Sequence, residues 1–314
     1  MIELRNVSKW YGDFQVLDDC STMVSKGEVV VVCGPSGSGK STLIKCANGL
    51  EEFQKGEIQF DGISVGDKKT DLPKLRSKIG MVFQNFELYP HLSVVKNIKL
   101  AQLKVLKRSV EEADKKTIQL LERVGLADQA LKFPAQLSGG QQQRVGIARS
   151  LAVEPDVWFL DEPFSALDPL IRKEMQDEFL RLQSLLKKTI VFITHDFDEA
   201  LRLADRIAIM FEGKVEQIDQ PGNIVLNPAT DYVAKFTNDV PREKVLTVKD
   251  IMEEKKAEES LASKSVNLND RIEIVAEYIL SQNTAVPVAD ENNKLVGVLH
   301  PDKVLKILFP EKVK

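Results

Sequence analysis

Residues 29–42 read VVVVCGPSGSGKST, an apolar run that passes through three glycines into a lysine. This pattern predicts a buried β-strand, a glycine-rich loop and a helix that begins near Lys40. We expect Gly34, Gly37 and Gly39 to allow positive φ, so that several N–H groups and the positive end of the helix dipole face one anion. The spacing therefore predicts a phosphate-binding loop for a nucleoside triphosphate.

The loop residues are expected to hold phosphate groups and one metal ion. Lys40 would reach the β and γ phosphates, and the Ser41 hydroxyl would bind Mg²⁺. The other loop residues expected to contact the nucleotide are Gly34, Pro35, Ser36, Gly37, Ser38, Gly39 and Thr42. The loop alone does not separate kinases, GTPases, helicases and transporter ATPases, because phosphate positioning is common to all of them.

A second glycine turn opens a second predicted helix at residues 137–149, LSGGQQQRVGIAR. Its helix start offers N–H groups, and Ser138 offers a hydroxyl, to another anion. At this point the sequence resembles the nucleotide-binding subunits of ABC transporters. The resemblance implies that Ser138, Gly139, Gly140 and Gln141 contact an ATP molecule held by the phosphate loop of a second copy. It also implies a head-to-tail dimer with two shared sites.

An acidic pair follows the apolar run VWFL at residues 157–160. A buried parallel strand would deliver Asp161 and Glu162 at its C-terminal end, where α/β sheets bind ligands. Asp161 would hold Mg²⁺ through its water shell, and Glu162 would act as the general base for the attacking water. The resemblance places Asp168 in the family's D-loop, within SALD at residues 165–168.

Three further site residues are predicted only by the resemblance. Gln84 matches the glutamine that senses Mg²⁺ and the attacking water, and His195 matches the histidine that contacts the γ-phosphate. Tyr11 matches the aromatic residue that stacks on adenine, with the neighbouring Trp10 as the alternative. The resemblance thus implies ATP and Mg²⁺ as cofactors and Glu162, His195 and Gln84 as the catalytic residues.

Composition indicates a protein that folds into about two domains and acts inside the cell. The chain has 314 residues, 43% of them hydrophobic, and a net charge of −4. This net charge does not indicate the basic surface that nucleic-acid binding requires. Residues 1–5 alternate like a strand, so we expect no signal peptide. No apolar stretch approaches the ~18 residues of a membrane span. Cys20, Cys33 and Cys46 lack metal-ligand spacing and are expected to be buried in a reducing compartment.

The alternation of strands and helices predicts a parallel-sheet α/β domain. The resemblance implies that this α/β domain is a P-loop ABC ATPase core with an antiparallel β layer and a helical subdomain. We expect the nucleotide-binding domain at residues 1–237, its helical subdomain at about 85–152 and a linker at 238–250. Within the subdomain, a predicted helix carries one apolar face, formed by Val110, Ala113, Thr117, Leu120, Leu121 and Val124. By resemblance, residues 86–93 receive a helix of the membrane permease; packing of an irregular loop is the alternative, and His91 is given no catalytic role.

Residues 251–314 are expected to form a small α+β domain. After a charged segment at 253–265, two short strands at 285–290 and 294–299 precede a helix at 302–308. Together with residues 248–252 they resemble one CBS motif, a βαββα unit that often binds adenine nucleotides or anions. A lone motif would need the copy of a partner chain, and a dimerisation cap without ligand is the alternative.

The two halves of the chain resemble different importers. Residues 1–151 resemble the ATPases of acidic and polar amino acid importers, whereas the remainder, with its CBS-like tail, resembles those of glycine betaine, proline and other quaternary amine importers. We favour the second group, although the docking surface lies in the first half. A membrane permease and, indirectly, a substrate-binding protein are the expected partners, at the cytoplasmic face of the plasma membrane.

Two other classes remain open at this stage. A non-transport ABC ATPase would usually carry two nucleotide domains or a basic insertion, and neither is visible in the sequence. For a transporter, export instead of import is compatible with these residues. A kinase or GTPase would need an acceptor site or the guanine-reading pattern N-K-x-D, which the chain lacks.

Overall fold

The computed structural model describes residues 1–165, 167–254 and 260–309. Ala166 of the predicted D-loop and residues 255–259 of the charged segment lie outside the described residues. The chain divides into two compact units, Met1–Ile218 and Asp219–Lys314. This division lies earlier than residue 237, because Leu226 already packs against the hydrophobic core of the second unit. The domain boundaries given in the sequence analysis stay predictions.

The first unit contains ten strands and seven α-helices in its described part. The strands are β1 Ile2–Tyr11, β2 Phe14–Val24, β3 Val29–Cys33, β4 Lys55–Phe60, β5 Ile63–Ser64, β6 Ile79–Val82, β7 Val157–Asp161, β8 Thr189–Thr194, β9 Arg206–Phe211 and β10 Lys214–Asp219. The helices are α1 Lys40–Ala47, α2 Leu72–Arg76, α3 Val94–Lys104, α4 Val110–Arg123, α5 Gly139–Leu151, α6 Pro169–Leu186 and α7 Phe197–Leu203. Short 3₁₀ helices lie at Ala127–Gln129 and Pro134–Gln136.

A six-stranded sheet of order β10-β9-β3-β8-β7-β6 brings the predicted site residues to one edge. Strands β3, β7 and β8 are buried along their whole length, as expected for parallel strands covered on both faces. The parallel register pairs Cys33 with Thr194 and Asp161 with Ile193. The residues after these three strands therefore share the carboxyl edge of the sheet, where α/β folds bind ligands.

A second sheet, of order β2-β1-β4-β5, is antiparallel. Its apolar side chains, such as Ile2 and Phe60, form one core with Leu43 of α1 and Phe159 of β7. The α1 helix, which begins at the phosphate loop, is thereby packed within this core. The predicted mixed α/β architecture with an antiparallel layer is what the structure has.

The helical segment between β6 and β7 contains α3, α4 and α5. Helix α4 begins with a capping box between Ser109 and Glu112, which satisfies its first free N–H groups. The predicted apolar face is buried at Ala113, Thr117, Leu120, Leu121 and Val124. Val110 was predicted on this face wrongly: it is 63% exposed, because it is the first residue of the helix.

The second unit is an α+β arrangement with its own core. Its elements are α8 Pro221–Leu226, α9 Asp231–Phe236, α10 Arg242–Val245, α11 Val248–Ile251, β11 Val266–Asn267, α12 Ile272–Leu280, β12 Val286–Ala289, β13 Leu295–Leu299 and α13 Pro301–Leu308. Strand β12 pairs parallel with β11 and antiparallel with β13. From β11 to α13 the order is βαββα, and the resemblance to a CBS motif stays a prediction.

Among the residues that the structure describes, no helix combines the length and the apolar character that a bilayer crossing requires.

Candidate active site

The phosphate loop turns sharply between β3 and α1, and its glycines are required by the chain's own geometry. Gly37 and Gly39 have φ of 82° and 99°, which side chains rarely tolerate. A Cβ atom at Gly34 would lie 2.1 Å from the carbonyl oxygen of Met210 on β9. Any larger residue at position 34 would therefore displace backbone.

Lys40 is held inside the loop that precedes it. Its Nζ donates to the carbonyl oxygens of Gly34 and Pro35, each at 2.8 Å, and lies 4.0 Å from Oε1 of Glu162. Burial lowers the pKa of the Lys40 ammonium, and the nearby Glu162 carboxylate opposes this shift. The lysine is 4% exposed, so its charge is directed into the site rather than into solvent.

Ser41 and Asp161 meet across the site although they are far apart in sequence. The Ser41 hydroxyl donates to Oδ1 of Asp161 at 2.8 Å. Burial raises the pKa of the Asp161 carboxyl, and the hydrogen bond from Ser41 partly offsets this. A hydroxyl and a carboxylate oxygen side by side are the hard oxygen donors that Mg²⁺ prefers, with water completing its shell. These two residues fit a magnesium ion.

Glu162 is the point at which the other predicted catalytic residues meet. Its backbone has φ of 45°, and its N–H donates to the carbonyl oxygen of Ile193 on β8 at 3.1 Å. Nε2 of Gln84 lies 3.5 Å and Nδ1 of His195 3.1 Å from the same oxygen, Oε2. The side chain is 14% exposed and that of His195 52%, so the structure brings together an enclosed carboxylate and an accessible imidazole.

Tyr11 lies at the end of β1, next to the start of α1. The Lys9 ammonium is 4.4 Å from the centre of its ring. Burial, followed by the Glu51 carboxylate, raises the pKa of Tyr11, and its hydroxyl also interacts with Thr42 of the phosphate loop. The Lys55 ammonium lies 5.3 Å from the ring centre of Trp10. Of the two aromatic candidates, Tyr11 is the one beside the loop.

A cavity of about 280 Å³ lies over the phosphate loop. It is lined by loop residues 36, 37 and 39–42, by Gln84 and Glu162, and by Val16 of β2. Val16 was not among the predicted site residues, since one valine within a strand carries no signal of its own. No residue of 137–141 is among the described lining residues, so the second glycine turn is not brought to this cavity.

The second glycine turn is organised as a helix cap. The Ser138 hydroxyl accepts from the Gln141 N–H at 3.3 Å, and the Gln141 side chain accepts from the Ser138 N–H at 3.0 Å. A Cβ at Gly140 would lie 3.1 Å from Ile171 on α6, whereas one at Gly139 would have no described atom within 4 Å. Asp168 likewise caps α6, accepting from the Ile171 N–H at 3.1 Å.

Comparison with known proteins places the chain in a family. A family model described as "ABC transporter" matches residues 17–165. The trimethylamine N-oxide transport system ATP-binding protein TmoW of Pelagibacter ubique (strain HTCC1062) is 56% identical over 302 residues, 95% of this chain and 87% of TmoW. The chain belongs to the ABC transporter ATPases. This ABC ATPase therefore binds ATP with Mg²⁺ and hydrolyses it, as the sequence predicted.

Two further relatives differ in how much of the ABC ATPase they match. The glutamate/aspartate import ATP-binding protein GltL of Escherichia coli (strain K12) is 58% identical over 241 residues, 75% of this chain and 99% of GltL. The ATP-binding cassette MJ0796, solved as a dimer in a post-hydrolysis state with ADP and Pi, is 36% identical with a TM-score of 0.65. That likeness covers 70% of this chain and 98% of the MJ0796 chain and confirms the predicted ABC ATPase fold of the core.

Proposed function

We propose that this ABC ATPase energises the import of a small quaternary amine or a related compatible solute, such as trimethylamine N-oxide, glycine betaine or proline. The observation that carries the proposal is the extent of the two matches. The match to TmoW takes in 95% of the chain and that to GltL 75%. TmoW thus resembles parts of this chain that GltL does not, and its name specifies a transported amine oxide.

Import of a polar amino acid such as glutamate or aspartate is the second candidate. The identity to GltL, 58%, is slightly higher than the 56% identity to TmoW. This candidate is favoured if the solute follows the permease-docking surface, which belongs to the first unit.

The geometry supports separate roles for the site residues in ATP hydrolysis. Lys40 and the loop N–H groups would hold the β and γ phosphates, and Tyr11 would stack on the adenine. Ser41, Asp161 and Gln84 would hold Mg²⁺, which when bound offsets phosphate charge. The enclosed Glu162 carboxylate would accept a proton from the water that attacks the γ phosphorus.

His195 would contact the γ-phosphate from the exposed side of Glu162. Its ring nitrogen lies 3.1 Å from the Glu162 carboxylate, so both groups face the same position. We propose that His195 orients the terminal phosphate while Glu162 handles the proton.

A second copy of the chain would complete each site. The residues that would approach the partner's γ-phosphate are Ser138, Gly139, Gly140 and Gln141, with Asp168 nearby at the start of α6. Their separation from the 280 Å³ cavity of their own chain supports this arrangement. Closure of the head-to-tail dimer would do the transport work, and loss of the γ-phosphate would permit reopening.

The proposed permease-docking surface is a groove of about 1030 Å³ in the first unit. Phe83, Glu87 and Tyr89 line it on one side and Leu100 of α3 on another, and Lys45, Arg76 and Lys104 add positive charge. These features suit an amphipathic helix that carries carboxylates. We propose that the ABC ATPase binds a permease here, at the cytoplasmic face of the membrane, and meets a substrate-binding protein only indirectly.

Within the second unit, residues 251–314 would act as a CBS-like regulatory or dimerisation domain. Its βαββα order and its separate core support the resemblance. We propose that it pairs with the same unit of the partner and biases opening and closing of the ATP sites.

Uptake measurements in the source cell test the proposal directly. Labelled trimethylamine N-oxide, glycine betaine and glutamate are supplied to cells with and without this gene, and the Glu162→Gln variant serves as the inactive control. Selective loss of amine uptake is expected. Selective loss of glutamate uptake would establish the second candidate, and unchanged uptake of every small solute would contradict import altogether.

A further inference from the structure

The loop after Gln84 contains two consecutive residues in the left-handed backbone region. Phe86 and Glu87 have φ of 61° and 45°. Left-handed backbone is unfavourable for any residue with a Cβ, and two such residues in a row must be held by their surroundings. Phe86 is also buried, at 6% exposure, so the loop cannot relax by moving outward without exposing an aromatic ring.

One guanidinium holds this loop. Nη2 of Arg149 donates to the carbonyl oxygen of Phe86 at 2.8 Å, and Nη1 donates to that of Glu87 at 2.5 Å. The same guanidinium lies 6.0 Å from the ring centre of Tyr89. Burial lowers the pKa of Arg149, but an arginine stays charged at physiological pH. Charged donors make stronger hydrogen bonds than neutral ones.

Arg149 lies in the last turn of α5, the helix that begins at Ser138. The same helix touches the loop a second time, because a Cβ at Gly146 would lie 3.8 Å from Cβ of Phe86. Ser150, the next residue, accepts a hydrogen bond from the indole N–H of Trp158 on β7 at 2.7 Å. Helix α5 is thus fixed both to the strand that ends in Asp161 and to the loop.

The loop in turn connects two proposed sites. Gln84, two residues before Phe86, lies 3.5 Å from Glu162. Glu87 and Tyr89 line the groove proposed for the permease, and Arg149 lines it too. A displacement of α5 would therefore be transmitted through the Arg149 hydrogen bonds to the groove wall.

We propose that Arg149 is a positioning residue that keeps Phe86 and Glu87 in their left-handed conformation and thereby links movement of α5 to the permease-docking groove. This inference rests on the proposed function, since it assigns the coupling at that same groove. Arg149 touches neither nucleotide nor catalytic carboxylate. Its effect is on partner-coupled turnover rather than on hydrolysis itself.

Lysine cannot replace Arg149 in this role. A guanidinium offers several donors in a fixed plane and stacks on an aromatic ring, whereas an ammonium is a compact point charge on a flexible stem. Lysine keeps the charge but loses the paired hydrogen bonds to the Phe86 and Glu87 carbonyls.

The first test compares Arg149→Lys with the wild type, as the full chain alone and as the complex with the membrane protein that co-purifies with it. Amide hydrogen exchange across residues 86–92 is expected to rise at least tenfold in the variant, with exchange in β7 unchanged. ATPase activity of the chain alone should stay within about threefold, while partner-stimulated ATPase and solute uptake should fall at least tenfold. Arg144→Lys, on the same helix, is the matched control and should leave the loop unchanged.

The second test is rescue by glycine. Because glycine adopts the left-handed region without strain, Glu87→Gly in the Arg149→Lys background should restore at least half of the wild-type stimulation and slow the loop's exchange. Tyr89→Leu removes the aromatic ring beside the guanidinium and should raise amide exchange across residues 86–92 about threefold. It replaces Arg149→Lys as the test variant if Arg149→Lys does not fold.

Three outcomes would overturn the proposal: unchanged loop exchange in Arg149→Lys, equal losses of basal and partner-stimulated ATPase, or no rescue by Glu87→Gly. Failure of the proposed function is distinguishable from these. If the wild type responds to no membrane partner and supports no uptake, import is wrong, while the exchange measurements still decide whether Arg149 holds the loop.

Discussion

The two glycine turns of this ABC ATPase look alike in sequence but differ in what explains their glycines. In the phosphate loop, Gly34 leaves no room for a Cβ and Gly39 has a φ of 99°. In the second turn, Gly139 has ordinary helix-start backbone and no described atom within 4 Å of where its Cβ would be. The geometry of the chain itself explains Gly34 and Gly39 in the first turn. In the second turn it explains Gly140, which Ile171 limits, but not Gly139.

This difference indicates whether each turn acts within its own chain or on a second copy. A glycine that its own fold does not require is explained when another backbone or a phosphate approaches it closely. The open Gly139 and the capped Ser138 beside it have the features expected of one half of a site that a second copy completes. The following experiments test whether the residues of the two turns act within their own chain or on a second copy.

The largest effect is expected for Glu162→Gln. Without the carboxylate that accepts the water's proton, ATP turnover should fall by about 10²–10⁴-fold, the usual contribution of a general base. ATP binding should persist, so the variant should accumulate as an ATP-stabilised dimer in size-exclusion chromatography. Free monomers at saturating ATP would contradict completion of the site by a second copy.

Glu212→Gln is the matched control for this experiment. Glu212 also has left-handed backbone, with φ of 44°, but is not among the described lining residues of the phosphate-loop cavity. Turnover in this variant should stay close to that of the wild type, which would assign the loss to the Glu162 side chain rather than to its backbone.

Alanine at the two contrasting glycines tests the comparison itself. Gly34→Ala forces a methyl group against the Met210 carbonyl and should lower the free energy of unfolding by about 1–3 kcal/mol, together with ATP affinity. Gly139→Ala should change the free energy of unfolding by no more than about 0.5 kcal/mol.

Turnover should nevertheless fall on the order of 10²-fold in Gly139→Ala, because a methyl group would push aside donors aimed at the reacting phosphate. Urea denaturation and steady-state ATPase assays measure the two quantities. Full activity in Gly139→Ala would show that nothing approaches this glycine during turnover.

Thiol alkylation tests how tightly the phosphate-loop region is packed. Burial raises the pKa of Cys20 and Cys46 to about 11 and that of Cys33 to about 12. Below its pKa a thiol is mostly protonated, so a raised pKa lowers the thiolate fraction at pH 8. Iodoacetamide should therefore react on the order of 10²-fold more slowly with Cys20 and Cys46, and about 10³-fold more slowly with Cys33, than with an ordinary thiol. Intact-mass measurement follows the reaction, and the urea-unfolded chain is the control. Rapid modification of Cys33 at pH 8 would mean that the loop's strand opens readily.

The smallest effect is expected for Ser138→Ala, which removes the cap of α5. Loss of such a cap costs about 1 kcal/mol, measured by thermal or urea unfolding. Ser109→Ala removes the equivalent cap of α4, where the Ser109 hydroxyl accepts from the Glu112 N–H at 3.2 Å, and is the comparison variant. If Ser138 also acts on a second copy, its variant should lose more turnover than the Ser109 variant at equal stability. Equal losses would show that Ser138 serves only as the cap.

The sequence predicted those features whose signal is local. The strand, loop and helix around Lys40, the acidic pair at the end of β7 and the face of α4 each follow from spacing and periodicity. Val110 was assigned wrongly to that face because periodicity does not register the end of a helix, where the first residue projects beyond the neighbours that cover the rest.

Other parts of the site depend on contacts that no single stretch encodes. Val16 reaches the nucleotide cavity only because β2 packs beside the phosphate loop, and the hydrogen bonds of Arg149 to residues 86–87 require α5 to pack on a distant loop. The unit division at residue 218 likewise follows from side-chain packing of later helices rather than from a change in composition.

The hydrogen bond between Trp158 and Ser150 gives the molecule a built-in optical reporter. Of the chain's two tryptophans, Trp158 is 1% exposed and hydrogen-bonded to α5, whereas Trp10 lies in β1 next to Tyr11. Replacing Trp10 by phenylalanine leaves a single emitter whose spectrum depends on the contact between α5 and β7. A change in intrinsic fluorescence on addition of ATP would then report movement of α5 against β7, in unlabelled protein and in real time.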